Sequence, residues 1–307
     1  MTVVRTSGLT MRFGRQAALD ALDLEIAAGV TGLVGANGAG KTTLLSIVLG
    51  LRTATAGSVD VLGYDPVRQG PELRSHVGYA SERNLLPADM RAVDFVRHLA
   101  EVRGLPRDEA RSRASDSLWL VGLGEERFRG LGTMSTGQRQ RVKLAQAVAA
   151  DPRLILLDEP TDGLDPVQRD EMLALIRRVS DDFGIDVVLS SHLLEEVERV
   201  CDHVVALDAG RLVAQGSLRS LVGDTEGIEL ELVESGVGPA TAPLVAAALE
   251  GAGLTVTLDG ASMQVAGPTA DEVLDRTRDV VADHGARIRR LSGRRRTLED
   301  LFHGAPS

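Results

Sequence analysis

The stretch Gly35-Ala36-Asn37-Gly38-Ala39-Gly40-Lys41-Thr42 fits G-x-x-x-x-G-K-[ST], and no other feature constrains the 307-residue chain as tightly. It follows a short apolar run at residues 30–34 and opens a helix-like stretch at 41–50, so it lies between a predicted strand and a predicted helix. Glycines let the backbone curl until its N–H groups face one point at the helix N-terminus, an anion site in itself. Gly35, Asn37, Gly38, Ala39, Gly40, Lys41, Thr42 and Thr43 are therefore the candidate nucleotide-binding residues. Lys41 is expected on the β- and γ-phosphates and Thr42 on Mg²⁺. Lysine usage strengthens this reading. Of 34 basic residues only two are lysines, Lys41 and Lys143. A chain this biased toward arginine keeps lysine where a planar guanidinium cannot replace a compact charge.

A second feature fits the first. Residues 154–157 are a continuous apolar run ending in Asp158 and Glu159. Such runs read as parallel strands buried on both faces, and ligands gather at the carboxyl ends of such strands. Asp158 is expected to hold Mg²⁺ through its water shell, and Glu159 to face an attacking water as general base. Taken alone, two acids after a strand also fit a helix cap. Together with the glycine-rich loop they point to a nucleotide-hydrolysing enzyme with ATP and Mg²⁺ as its cofactors.

Ahead of the acidic strand lies Met134-Ser135-Thr136-Gly137-Gln138. It resembles the L-S-G-G-Q signature of ABC ATPases, with a serine hydroxyl and a glycine N–H at a helix start, suited to a γ-phosphate. The resemblance covers residues 1 to about 222. It implies further roles. Phe13 lies where the family stacks an aromatic on adenine, although an ordinary strand phenylalanine fits the pattern too. Ser135, Gly137 and Gln138 would meet the nucleotide of a second copy. Thr161-Asp162-Gly163-Leu164-Asp165 is similar to the loop that links the two sites of a dimer. His192, after Ser190-Ser191, is similar to the switch histidine. Two positions depart from the family pattern. Glu82 stands where glutamine is usual, still able to reach Mg²⁺ or its water but adding a negative charge, and Thr136 replaces the first glycine of the signature. The implied enzyme works, possessing Glu159 and His192, at a turnover these departures can slow.

Composition narrows the class. The net charge is −10 and the pI about 5.2, which argues against nucleic acid as a partner. The N-terminus has no signal-peptide pattern, and no apolar run approaches the ~18 residues of a membrane helix. The single cysteine, Cys201, lies in an apolar stretch and reads as a core residue of a reducing compartment. The expected place is therefore the cytoplasm, peripheral to the inner face of the cell membrane, bound there through a partner.

Organisation follows from the periodicities. Residues 1–34 read as strands, 55–82 as short β segments and about 85–150 as a helical subdomain. Strands and helices then alternate to about 222. Residues 224–307 read as a separate βαββαβ domain, with strands at 228–233, 254–258, 262–266 and 286–291 and helices at 239–250 and 269–284. The fold class is thus α/β: an ABC ATPase cassette with a mixed sheet and a helical subdomain, followed by a small α+β domain. Arg287, Arg289, Arg290, Arg294, Arg295 and Arg296 form the one basic cluster. It reads either as a solvated face paired with local acids or as a contact for a partner chain or acidic lipid headgroups. The tail from Arg294 to Phe302 resembles that of ATPase subunits in ABC-2 type exporters of antibiotics and other hydrophobic compounds. That resemblance implies a homodimer working with a membrane-spanning permease on a separate chain, gripped by the segment from Glu82 into the helical region near Leu85, Leu86 and Met90. The competing readings are an ABC ATPase acting on ribosomes or nucleic acid, and a slow nucleotide-sensing regulator.

Overall fold

Apolar alternation at Leu22, Leu24 and Ile26 buries all three on one face of β2 (Gln16–Ala27). This strand pairs antiparallel with β1 (Thr2–Phe13), whose other edge takes β4 (Ala56–Val61), making a three-stranded sheet. The continuous apolar runs instead build the centre of a six-stranded sheet. Its order is β5 (Val77–Ala80), β6 (Leu154–Asp158), β7 (Asp186–Ser191), β3 (Val30–Val34), β8 (His203–Asp208) and β9 (Arg211–Ser217). The first five run parallel and β9 is antiparallel at the edge, so the sheet is mixed. One buried cluster joins Leu22 and Leu24 to Leu33, Leu156 and Val188, with Leu44, Leu45 and Ile47 of α1 (Lys41–Val48) packed in it. The computed structural model describes residues 2–82, 86–222, 227–233, 241–294 and 298–299.

Three neighbouring strands set the site. β6, β7 and β3 lie side by side, with Asp158 opposite Ser190 and Ser191 opposite Val34. Glu159, His192 and Gly35 therefore leave the sheet at one edge, at the carboxyl ends of parallel strands. The helical stretch consists of α3 (Ala92–Val102), α4 (Arg107–Leu120) and α5 (Thr136–Val148), with α6 (Pro166–Phe183) and α7 (Leu194–Val200) following β6 and β7. Leu85 lies outside the described residues.

Residues 55–82 hold the short β segments expected around Val59, Val61 and Val77, as β4 and β5, and between them stands α2 (Gly70–Ser75), which the sequence pattern does not mark. It is six residues long, opens with Pro71 in its first turn and buries only Gly70 and Leu73, so it carries no apolar period to read.

The chain divides into two compact units, Met1–Leu218 and Arg219–Pro306. The first ends just as α8 (Leu218–Val222) begins. In the second, β10 (Gly227–Leu232), α9 (Thr241–Gly251), β11 (Thr255–Asp259), β12 (Ser262–Ala266), α10 (Ala270–Asp283) and β13 (Ile288–Arg294) follow the βαββαβ order. The antiparallel sheet runs β11-β12-β10-β13. Its core holds Ile228, Leu230, Met263 and Val265 from the strands and Val245, Leu249 and Val273 from the helices. Arg287, Arg289 and Arg290 are exposed, and Arg289 pairs with Glu231 at 2.9 Å. Arg295, Arg296 and the tail through Phe302, apart from Leu298 and Glu299, lie outside the described residues.

Candidate nucleotide-binding site

The loop after β3 turns on glycine. Gly40 caps α1 at φ 106°, where a side chain is strained, and an alanine Cβ there would stand 2.7 Å from the Ala18 carbonyl oxygen. At Gly35 a Cβ would stand 2.3 Å from the Leu207 carbonyl oxygen. The loop encloses a cavity of about 360 Å³ lined by Ala36, Asn37, Gly38, Gly40, Lys41, Thr42 and Thr43, with Ala18, Glu82 and Glu159 facing in. Ala39 is buried beneath it, its carbonyl accepting from the Gly210 N–H at 3.1 Å.

Charges converge there. Lys41, 6% exposed, donates to the Gly35 carbonyl at 2.6 Å and lies 3.4 Å from Glu159 Oε1. Glu159 Oε2 is 2.9 Å from His192 Nδ1. The carboxylate of Glu159 is thus held between a lysine and a histidine, on a residue whose own backbone is left-handed at φ 48°. Asp158 accepts from the Ser190 hydroxyl at 2.7 Å and from the Thr42 hydroxyl at 3.4 Å. Burial pushes its carboxyl above the usual range, against the pull of the two hydroxyls.

The oxygen donors of Thr42 and Asp158 suit a hard cation. Among the described residues no three His, Cys, Asp or Glu side chains cluster as a cage. A hydroxyl and one carboxylate fit Mg²⁺, which keeps several waters and binds through few protein oxygens together with substrate phosphates.

Other expected residues stand apart. Ser135 caps α5 in a reciprocal box: it accepts from the Gln138 N–H at 3.2 Å, while its own N–H donates to Gln138 Oε1 at 3.1 Å. The Ser135 hydroxyl is an acceptor in that bond and keeps its proton for another partner. Gly137 is buried in the first turn. None of Ser135, Gly137 and Gln138 lines the cavity around Lys41. Neither does Phe13, which is 46% exposed with the Arg52 guanidinium 5.2 Å from its ring centroid. Cys201 is buried, and burial pushes its thiol pKa up, in keeping with a core role.

Three residues at the site went unassigned in the sequence. Ser190 also accepts from the Glu159 N–H at 3.0 Å, so one buried hydroxyl ties both acids together. Its signal was the pair Ser190-Ser191 ending a strand beside β6. Glu196, 3% exposed, accepts from Thr161 and Ser191 hydroxyls at 2.8 Å each and faces Arg169 at 3.1 Å. It joins the loop after β6 to the one after β7. Lys143 reaches from α5 to donate to the Glu82 carbonyl at 3.2 Å. Burial pushes its pKa down to about 8.

A model of the ABC transporter family matches residues 19–162. A daunorubicin resistance ATP-binding protein of Streptomyces coeruleorubidus is 31% identical over 304 residues, 98% of this chain and 95% of that protein. The chain belongs to the ABC transporter family. A methionine import ATP-binding protein of Mesorhizobium japonicum is 33% identical over 280 residues, 88% of this chain and 76% of that protein. Among solved structures, cbiO1 of Clostridium perfringens, part of the ABC transporter complex cbiONQ, matches with a TM-score of 0.65 and 26% identity over 71% of this chain and 90% of that one. This ABC chain is the ATPase subunit of a transporter, with ATP as substrate and Mg²⁺ as its metal. Among its described residues no helix is long and apolar enough to cross a membrane.

Proposed function

We propose that this subunit powers an exporter of hydrophobic, antibiotic-like compounds, working as a homodimer on a separate membrane-spanning permease. The observation that carries the export reading is the match to the daunorubicin resistance protein along 95% of its length, C-terminal unit included. The methionine import protein is matched over 76% of its own length.

In this reading residues 1–222 are the nucleotide-binding domain and 224–307 an accessory domain. Lys41 exchanges Glu159 and the Gly35 carbonyl for the β- and γ-phosphates. Thr42 and Asp158 hold Mg²⁺, and Glu82 faces its water shell. Bound Mg²⁺ supplies charge neutralisation across the phosphate oxygens. Glu159, once released by Lys41, orients and deprotonates the attacking water, while His192 holds its other oxygen. Ser135 and Gly137 lie away from this chain's own cavity with donors to spare, so they serve the ATP of the second copy. Closing on ATP and reopening after hydrolysis is the two-state change delivered to the permease.

The permease is expected in a groove of about 430 Å³ where Leu49 and Leu51, just after α1, and Tyr79 of β5 meet Val102 of α3. Leu51 and Val102 are 62% and 69% exposed, and Arg74 lies at its rim. A short amphipathic helix with an acidic flank complements it. The test is cell fractionation with and without a co-expressed permease, followed by ATP-driven uptake into inverted membrane vesicles. The protein should pellet with membranes only beside the permease, and Leu51→Asp with Val102→Asp should abolish this while ATP binding stays. ATP-driven loss of cargo from those vesicles would make it an importer. Sedimentation with ribosomes or nucleic acid would replace the transporter coupling altogether.

A further inference from the structure

The second lysine of the chain has no place in that scheme, yet its surroundings are those of the site. Lys143 is 4% exposed on α5. Its ammonium donates to the Glu82 carbonyl at 3.2 Å, and the carboxylates acting on it are Asp158, Glu82 and Asp162. One turn further along the same face, Gln146 donates to the Tyr79 carbonyl at 2.5 Å. Next beyond them Gly78 lies so close to α5 that a Cβ would stand 2.3 Å from the Ala147 carbonyl oxygen. The segment leading from β5 to Glu82 is thus fastened along the helix that Ser135 opens.

Charge sets the second half of the argument. The cavity must accept a polyanion, yet Glu82 and Glu159 line it and Asp158 adjoins it. Lys41 is the one lysine lining the cavity. A buried ammonium lowers fold stability unless something local compensates it, so a lysine here is not explained by packing.

We propose that Lys143 is a positioning residue for the nucleotide cavity, fixing the Glu82 segment to α5 and offsetting the negative charge that Glu82 brings. It acts through Glu82 and touches no reacting atom. The proposal rests on assigning the cavity to ATP.

The test is a double-mutant cycle on the full chain: wild type, Lys143→Met, Glu82→Gln and both together. Affinity for a fluorescent ATP analogue is measured in EDTA and again with Mg²⁺, so that one readout needs no hydrolysis. Lys143→Met should weaken binding about tenfold in the wild-type background and less than about threefold beside Glu82→Gln. Equal losses in both backgrounds overturn the proposal, because a purely structural lysine does not know the charge at Glu82. Should Lys143→Met fail to fold, thermal melts decide: recovery of folding in the double variant supports the pairing, and no recovery overturns it. Lys41→Ala separates the two readings. Undiminished binding in that variant means the cavity assignment itself has failed; lost binding with an additive cycle sinks the role of Lys143 alone.

Discussion

Replacing Ser190 by alanine removes two hydrogen bonds at once. The hydroxyl is fully buried, donates to Asp158 at 2.7 Å and accepts from the Glu159 N–H at 3.0 Å. A hydrogen bond to a charged group contributes about 1.5–3 kcal/mol net, and stranding a buried N–H costs about 1–3 kcal/mol. The two losses share one site and relax together, so the expected destabilisation is about 2–4 kcal/mol. Catalysis should suffer separately. Glu159 is held at φ 48°, and the lost bond is one of its anchors. Asp158 is already pushed up by burial and loses the hydroxyl that draws it down, so its pKa rises further. An Asp158 that must be ionised to hold the metal then fails at higher pH, and the acid limb of hydrolysis moves up. Trp119 is the chain's one tryptophan and lies in the Met1–Leu218 unit, so its fluorescence follows denaturation of that unit. Where Asp158 is ionised, we expect kcat to fall by about tenfold or more with KM for ATP changed less than about threefold, since the loosened Glu159 acts after binding. A stability loss under about 0.5 kcal/mol with unchanged kcat would refute the argument that Ser190 holds the pair.

Lys41→Arg should lose nucleotide affinity about as fully as Lys41→Ala, because the space between the Gly35 carbonyl and Glu159 admits a point charge and not a fork; wild-type turnover would contradict this. Glu159→Gln should keep ATP binding but stop hydrolysis, and dimers should then accumulate with ATP in size-exclusion chromatography. A monomer at all ATP concentrations with normal turnover would remove Glu159 from the role of base. Asp158→Asn should abolish metal-dependent hydrolysis yet stabilise the fold by roughly 1 kcal/mol. The sign follows from linkage: its folded pKa is raised, so the native state binds more protons than the unfolded one above pH 3.8, and stability is lost as pH rises through that window. A lower melting temperature for the asparagine variant at neutral pH would show that the ionised carboxylate is an asset to the fold. Deleting residues 224–307 should leave a fragment that binds ATP, since every nucleotide motif precedes Gly223; a folded fragment without affinity would show that the second unit supports the site.

The fold was legible wherever burial imposes a period. Continuous apolar runs marked β3, β6 and β7, and alternation marked β2 and the strands of the second unit, because a strand buried on two faces and one buried on one face select different patterns. It was illegible at α2, where two buried residues in six leave no period. The site divides the same way. Gly35, Lys41, Thr42, Asp158 and Glu159 are visible because loop geometry and phosphate chemistry restrict residue type at fixed spacing. Ser190, Glu196 and Lys143 are not, because each acts across strands or between helices. Glu196 bonds Thr161, 35 positions away, and Lys143 bonds Glu82, 61 positions away. Their residue types are ordinary for a cap, a helix surface or a solvated charge, and only packing makes them specific.

What separates the two halves of the site is also a matter of packing. Lys41, Asp158 and Glu159 stand on the sheet edge, while Ser135, Gly137 and Gln138 open a helix and line no part of that cavity. Sequence order places Ser135 only 23 positions before Asp158, a spacing that invites one continuous site. The chain between them runs out along α5 and back along β6, and Gln140 of α5 donates to the Asp162 carbonyl at 3.2 Å. The start of α5 therefore stands beside the loop after β6, yet none of its signature residues enters the cavity around Lys41. The capping box fixes Ser135 in place, and its proton remains available there. On the proposed reading, a donor rigidly held outside its own chain's cavity is what a second copy is expected to use, so closure and hydrolysis should both depend on dimerisation.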